Sequence, residues 1–369
     1  MWRTLTPTPS LTAAFITLLQ PEYLSDLMKH LTYFLLLVGA LSLSACHDLE
    51  SEPNTALGNL RALWTTVDEH YCYFNEKNIN WDSIYSVYAP RVNTSTTATE
   101  LFEICSDMLA ELKDGHVNLA SPWETSYYRG WWSDYPQNYD ARVIQEHYFN
   151  FRYHTAGAVN YGILTPDSVG YLHYSTFSSS IPEYTMDYIL LSMRNCPGLI
   201  VDIRDNGGGD LTNVERLVAR FLDETITAGY IIHKTGKGHG DFSSPYSFTY
   251  SPATDHVRWL RPVVLLTNRS TYSAANNFAA IMRTLPHVTQ VGATTGGGGG
   301  MPFSSELPCG WALRMSGSPI LDPNGESTEK GVAPHVAVDI TPYETAMGRD
   351  PILDTAREII VNSVNNKSR

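Results

Sequence analysis

Ser273 stands in the stretch STYSAANNFAA, where an apolar strand ends at Asn268, a short polar turn follows and the serine opens a helix. A hydroxyl at that junction lies near the positive end of the helix, beside backbone N–H groups that have no intrahelical acceptor. Such a place suits a nucleophile and the oxyanion it generates, although an ordinary helix N-cap has the same local signature. A second turn of this kind is VDIRDNGGGD, in which Gly207, Gly208 and Gly209 follow a strand. Glycines there admit another backbone closely and leave N–H groups pointing outward. The turn has neither the GxGxxG nor the GxxxxGK[ST] form, and Arg204 lies on the strand, so a phosphate cradle is disfavoured. His116, in LKDGHVNL, follows a helix that ends at Asp114-Gly115. A lone histidine is usually structural; it acquires chemistry only where the fold brings it to a serine whose hydroxyl needs a base. VGATTGGGGGMPFSS holds five successive glycines, Gly296 to Gly300, and by composition this is a flexible surface loop.

The elements that must position these residues can be read from periodicity. In LGNLRALWTTVDEHY the residues Leu57, Leu60, Leu63, Trp64, Val67 and Tyr71 make one helical stripe, and TATELFEICSDMLAEL repeats it behind a Thr97/Glu100 capping box. Residues 56–115 therefore read as an N-terminal helical subdomain. Residues 116–168 form a connecting segment dense in Trp, Tyr and Phe between Pro122 and His154, either a substrate wall or a packing layer. Beyond it, strands at 169–177, 198–204 and 262–268 alternate with helices around 180–195, at 211–222 and at 273–285. That order implies an α/β core with parallel pairing over 169–345, followed by a helix or tail over 346–369.

The chain has 369 residues, 43% of them hydrophobic, and a formal net charge of -13. It can bury one large core or two modest ones, and it lacks the basic patch that nucleic acid demands. MKHLTYFLLLVGALSLSAC, from Met28 to Cys46, reads as an export signal, and Leu43-Ser44-Ala45-Cys46 resembles a bacterial lipobox whose cysteine is lipidated. On this reading residues 1–45 are upstream residues and signal peptide, with translation starting at Met28, and 46–55 are a tether. The expected location is the cell envelope, held to a membrane through Cys46. Cys72, Cys105, Cys196 and Cys309 are widely spaced without any C-x-x-C pair and are expected as buried free thiols. No HExxH or comparable cluster is present, so neither metal nor other cofactor is expected.

In order and approximate spacing, LKDGHV, GLIVDIRDNGGG, STYSAANNFAAIM, VGATTGG and STEKGVAPHVAVDIT resemble the signature blocks of the C-terminal-processing (tail-specific) serine peptidases, a family that includes the catalytic core of tricorn protease. The resemblance covers roughly residues 55–345. It implies a crotonase/ClpP-like ββα core, with Ser273 as nucleophile and the N–H groups of Gly208 and Ala274 as oxyanion hole. Asn276 stands where the serine block has an acidic residue, and His335 where the last block has aspartate. Aligning Gly292 and Thr295 with the lysine block places the family's lysine base at Gly298, so the Ser-Lys dyad is excluded. The tricorn-like branch implies instead His116 as base, with Glu329 orienting it and Glu326 a weaker candidate. The 52 residues between His116 and Val169 leave no room for the PDZ domain that relatives often carry. The resulting expectation is a peptidase acting on peptides or proteins without metal. Against it stand a catalytically inactive lipoprotein binding peptides or lipophilic ligands on the same fold, and an envelope interaction protein with a merely structural core.

Overall fold

The computed structural model describes residues 52–367. The lipobox cysteine Cys46 and the signal segment lie outside the described residues. Thr55 opens α1 (Ala56–His70) by accepting the Gly58 N–H on its side chain. Two short helices follow, α2 (Phe74–Lys77) and α3 (Trp81–Tyr88), and then α4 (Ala98–Ala110), whose capping box pairs Thr97 with Glu100 in both directions. After α4 come β1 (Asn118–Ala120) and β2 (Thr125–Tyr127), then β3 (His154–Ala156), β4 (Val159–Leu164) and β5 (Val169–Tyr174). Helix α5 (Glu183–Ser192) leads to β6 (Leu199–Asp202), and α6 (Leu211–Val218) to the hairpin of β7 (Ile226–Ile231) and β8 (Tyr246–Tyr250). The rest of the chain forms β9 (Val263–Thr267), α7 (Ala274–Met282), β10 (Val288–Gly292), β11 (Gly300–Glu306), β12 (Ala312–Leu321), β13 (Val336–Ala337) and α8 (Pro351–Lys367).

Seven strands lie in the order β13-β10-β9-β6-β5-β4-β3. The pairs β5·β6, β6·β9, β9·β10 and β10·β13 are parallel, as the alternation of strands and helices implies, and β3·β4·β5 is antiparallel. Every residue of β6 and β9 is buried, because helices cover both faces of the sheet. On one face Ile189, Leu217 and Phe278 pack from α5, α6 and α7; on the other Ile352, Leu353 and Ile360 pack from α8.

A second sheet, β2-β1-β12-β7-β8 with β11 on β12, is built from segments to which periodicity assigns nothing. The helices expected as a subdomain over 56–115 share their core with it. Leu60, Leu63, Cys105 and Met108 pack with Leu307, Trp311, Leu313 and Met315, and the described residues form one compact unit. The helix expected to run to 222 ends at Val218 and tightens into a 3-10 turn over Ala219–Phe221. The strand expected to reach 177 ends at Tyr174, since Phe177 leaves the sheet to exchange backbone hydrogen bonds with the glycine turn through Gly208 and Asp210. Cys72, Cys105 and Cys196 are buried free thiols, and Cys309 is half-exposed. Residues 117–168 hold β1 to β4 and short helical turns, with no separate PDZ domain among the described residues.

Candidate active site

The serine turn is held from three sides. At the end of β9 the Asn268 N–H donates to Thr271 Oγ1, and that hydroxyl donates onward to the Ile203 carbonyl beyond β6. Tyr272 N–H reaches Asn206 O in the neighbouring glycine turn, and Ser273 N–H reaches Gly297 O in the glycine run. These constraints hold Ser273 at φ 57 and ψ -122. Such a backbone costs a non-glycine residue about 1–3 kcal/mol and persists where its surroundings over-determine it. Although Ser273 occupies the N-cap position of α7, its hydroxyl makes no capping bond; Oγ lies 2.9 Å from His116 Nε2. The adjacent Ala274 N–H has no acceptor among the described residues.

His116 is delivered by the turn that ends the α4 segment. Asp114, fully buried, accepts the His116 backbone N–H on Oδ1 at 2.8 Å; its Oδ2 accepts the hydroxyls of Tyr71 and Ser316. Gly115 is required here by space, since a β-carbon would stand 2.7 Å from the Trp131 ring and 2.9 Å from the Tyr272 hydroxyl. Trp131 stacks on Tyr272 with ring centroids 4.0 Å apart, and the His116 ring rests 5.0 Å from Tyr272. Within the aromatic segment Trp131 packs against the serine and histidine turns and Phe149 is buried in the core, whereas Trp123, Tyr127, Tyr135 and Phe151 are exposed. Burial pushes the His116 pKa down; Asp114 opposes the shift, and the positive charges of Arg314 and Lys77 add to it. The imidazole is therefore held unprotonated, the form that can accept a serine proton.

Glu329 is buried, but its carboxylate is not on the histidine. Oε1 lies 2.7 Å from Lys77 Nζ, and Oε2 accepts the Gly299 N–H at 2.9 Å. His116 Nδ1 is buried with no hydrogen-bond partner among the described residues. The Lys77 ammonium that holds Glu329 is nearly enclosed between the Tyr71 and Tyr73 rings and lies 3.5 Å from Asp114 Oδ2. Burial and the Asp114 charge push the Glu329 pKa up to about 8, with Lys77 pulling against them. Lys77 is the residue that sequence reasoning missed: at the end of a four-residue helix it carries no pattern. Glu326 is exposed, and His335 accepts the Gln290 N–H beside β10, so neither joins the site.

The five glycines are not the surface loop that their composition suggests. All five are buried. A β-carbon at Gly296 would meet the Trp131 ring at 2.7 Å, one at Gly299 the Thr328 hydroxyl at 2.9 Å, and one at Gly300 the Ser316 side chain at 2.6 Å. At Gly298, the aligned lysine position, φ is 76 and the space is filled by the Tyr272 ring. Gly208 also needs correction as a free oxyanion donor, because its N–H is engaged by Asn206 Oδ1 at 3.0 Å. Its α-carbon nonetheless lies where any β-carbon would stand 2.8 Å from both Ser273 Cβ and Ala274 N. The Gly209 N–H, by contrast, has no acceptor among the described residues. Asn276, in place of an acidic residue, is buried and links Thr295 Oγ1 to Thr328 O. Arg204 is fully buried between Asp202 and Asp350, which fixes the strand end from which the glycine turn springs.

Ser273 opens into a cavity of about 280 Å³, walled by α7, the glycine run, β11 and β12. Among the described residues no His, Cys, Asp or Glu cluster is placed to hold a metal ion. A hydroxyl facing an unprotonated imidazole at the floor of a cleft is the arrangement of serine-type hydrolases. Comparison with known proteins narrows that class. Peptidase family S41 matches residues 168–338, and the tricorn protease C1 domain matches residues 53–110. The crystal structure of a candidate peptidase from Parabacteroides merdae ATCC 43184 is similar at 45% identity and a TM-score of 0.79, over 84% of this chain and 97% of that one. Mature CPAF shares the fold, with a TM-score of 0.67 at 12% identity over 85% and 98% of the two chains. The carboxy-terminal processing protease CtpB of Bacillus subtilis is 28% identical over 181 residues, 48% of this chain. The matched region spans only 36% of the length of CtpB and 38% of its B. subtilis paralogue CtpA. The chain belongs to peptidase family S41, a family of serine-type peptidases.

Proposed function

We propose that this chain hydrolyses peptide bonds, as an endopeptidase or a carboxyl-end-directed peptidase, through an acyl-enzyme on Ser273 with His116 as general base. The observation that carries the reading is the 2.9 Å approach of Ser273 Oγ to His116 Nε2 at a strained strand-to-helix turn. Oγ attacks the scissile carbonyl as Nε2 takes its proton. The oxyanion draws on the Ala274 N–H, and on the Gly208 N–H in exchange for its bond to Asn206. Collapse expels the amine, which receives the proton from His116; water then attacks the ester by the same route in reverse. Glu329 completes the site at one remove, holding Gly299 under the cleft and Lys77 against Asp114, rather than by contact with Nδ1. Peptides or proteins are the substrate class, and the lipobox-like Cys46 supports attachment to a cell-envelope membrane.

A fluorophosphonate probe tests the chemistry directly. Wild type should label, while Ser273→Ala should not, and His116→Ala should label at least about 100-fold more slowly, the lower end of what general-base catalysis contributes. Labelling that survives in Ser273→Ala, or that fails in a folded wild type, would overturn the acyl-enzyme.

A further inference from the structure

Two charged side chains line the cavity at Ser273, Asp210 and Arg314. Asp210 is already engaged, because its carboxylate caps α6 by accepting both the N–H and the hydroxyl of Thr212. Arg314 is different. Its guanidinium is exposed and makes no ion pair or side-chain hydrogen bond with any described residue. Alternation along β12 fixes its direction: Leu313 and Met315 point into the core under α1 and α4, while Arg314 shares the opposite face with Ser316, whose hydroxyl reaches Asp114. The residues opposite Arg314 are Asn118 on β1 and Ser304 on β11, neither of them acidic. A guanidinium left without a carboxylate, in a chain of net charge -13, is a local exception to the surrounding field.

Its position relative to the imidazole gives the exception a direction. Asn118, its strand partner, lies two residues beyond His116, and the positive charge of Arg314 is felt at the His116 ring. The imidazole hands its proton to the departing amine, so a group beside it faces the leaving-group side of the scissile bond. We propose that Arg314 is a specificity residue that binds a substrate carboxylate on the leaving-group side, supplied either by a free peptide C-terminus or by an Asp or Glu side chain. This rests on the reading of Ser273 and His116 as the reacting pair. Guanidinium meets carboxylate through two parallel N–H bonds, which would also orient the segment to be released.

Binding to the Ser273→Ala chain tests the subsite without depending on turnover, and fluorophosphonate labelling of wild type reports separately on the reacting pair. The probes are randomised octapeptides prepared as C-terminal acids, as C-terminal amides, and as amides with one fixed internal Glu. Acids, or the internal-Glu amides, should bind about tenfold more tightly than plain amides, the effect of one charge-assisted contact. Whichever of the two gains identifies the source of the carboxylate. Adding Arg314→Gln should abolish the difference, and Arg314→Lys should keep part of it. Equal binding of all three sets with Arg314 in place, or a preference that survives Arg314→Gln, would overturn the proposal even if Ser273 labels normally.

Discussion

At the scale of single residues, the site turns on how His116 is kept ready. Burial disfavours its charged form most, Arg314 and Lys77 act in the same direction, and Asp114 alone opposes them. The working form is the neutral ring, so Ser273 reactivity should rise with pH through the His116 pKa and level off. The depressed pKa places that rise below the usual 6.5, which favours the neutral base at neutral pH. Asp114→Asn removes the charge that favours imidazolium while an amide oxygen can still accept the His116 N–H. The acid limb of the labelling rate should therefore move to lower pH in that variant. Rates of fluorophosphonate labelling between pH 4.5 and 8 measure this, and a limb that moves upward would show that Asp114 does not act on the ring through its charge.

At the scale of elements, the glycine run shows what a lysine base would have to overcome. Gly297 bridges to Tyr272, Gly298 has φ 76, and a β-carbon there would stand 2.7 and 2.9 Å from Cε2 and Cε1 of the Tyr272 ring. Gly298→Lys should lower stability by about 3 kcal/mol, from overpacking together with a left-handed backbone. It should not supply a base: a Gly298→Lys, His116→Ala double variant should stay as unreactive as His116→Ala in the labelling assay. Recovered labelling would show that the run can open for a lysine. The elements that carry the site were legible because their signals are local. Apolar runs ended β6 and β9, the Thr97/Glu100 box opened α4, and a serine after a buried strand marked the turn. The packing of the glycines was not legible, since composition reports backbone freedom and not the Trp131 and Tyr272 rings that remove it. Lys77 was hidden for a related reason, because Asp114 and Glu329 are brought to it across the fold; the bond that Gly208 donates to Asn206 is local but rests on a turn geometry that residue types alone do not specify.

At the scale of the molecule, Lys77 joins the N-terminal helices to the His116 turn through Asp114 and to the floor of the cleft through Glu329. Two buried carboxylates face one ammonium, and they do not ionise alike. The Asp114 pKa is lowered, because Lys77, His116 and its hydrogen bonds outweigh the burial that acts against it, whereas burial and Asp114 hold Glu329 up to about 8. In the unfolded chain a glutamate titrates near 4.5. Folding therefore takes up a proton at Glu329 between roughly pH 4.5 and 8, and the native state binds more protons than the unfolded one across that window. Stability from this group is fully present below the unfolded pKa and is lost as pH rises through the folded one, by at most about 1.4 kcal/mol per pH unit. Glu329→Gln removes the titration and keeps one acceptor oxygen, for either the Gly299 N–H or the Lys77 ammonium; the bond lost to the other donor is a cost that does not vary with pH. The stability difference between wild type and Glu329→Gln, measured by denaturant unfolding at pH 5, 6.5 and 8, should therefore shift against wild type by about 1 kcal/mol for each pH unit in the upper part of the window. Asp114 contributes the opposite dependence, lost only as pH falls through its lowered pKa, and it is common to both chains. A difference that stays constant from pH 5 to 8 would mean that Glu329 remains ionised throughout, as the partner of Lys77 in a permanent ion pair.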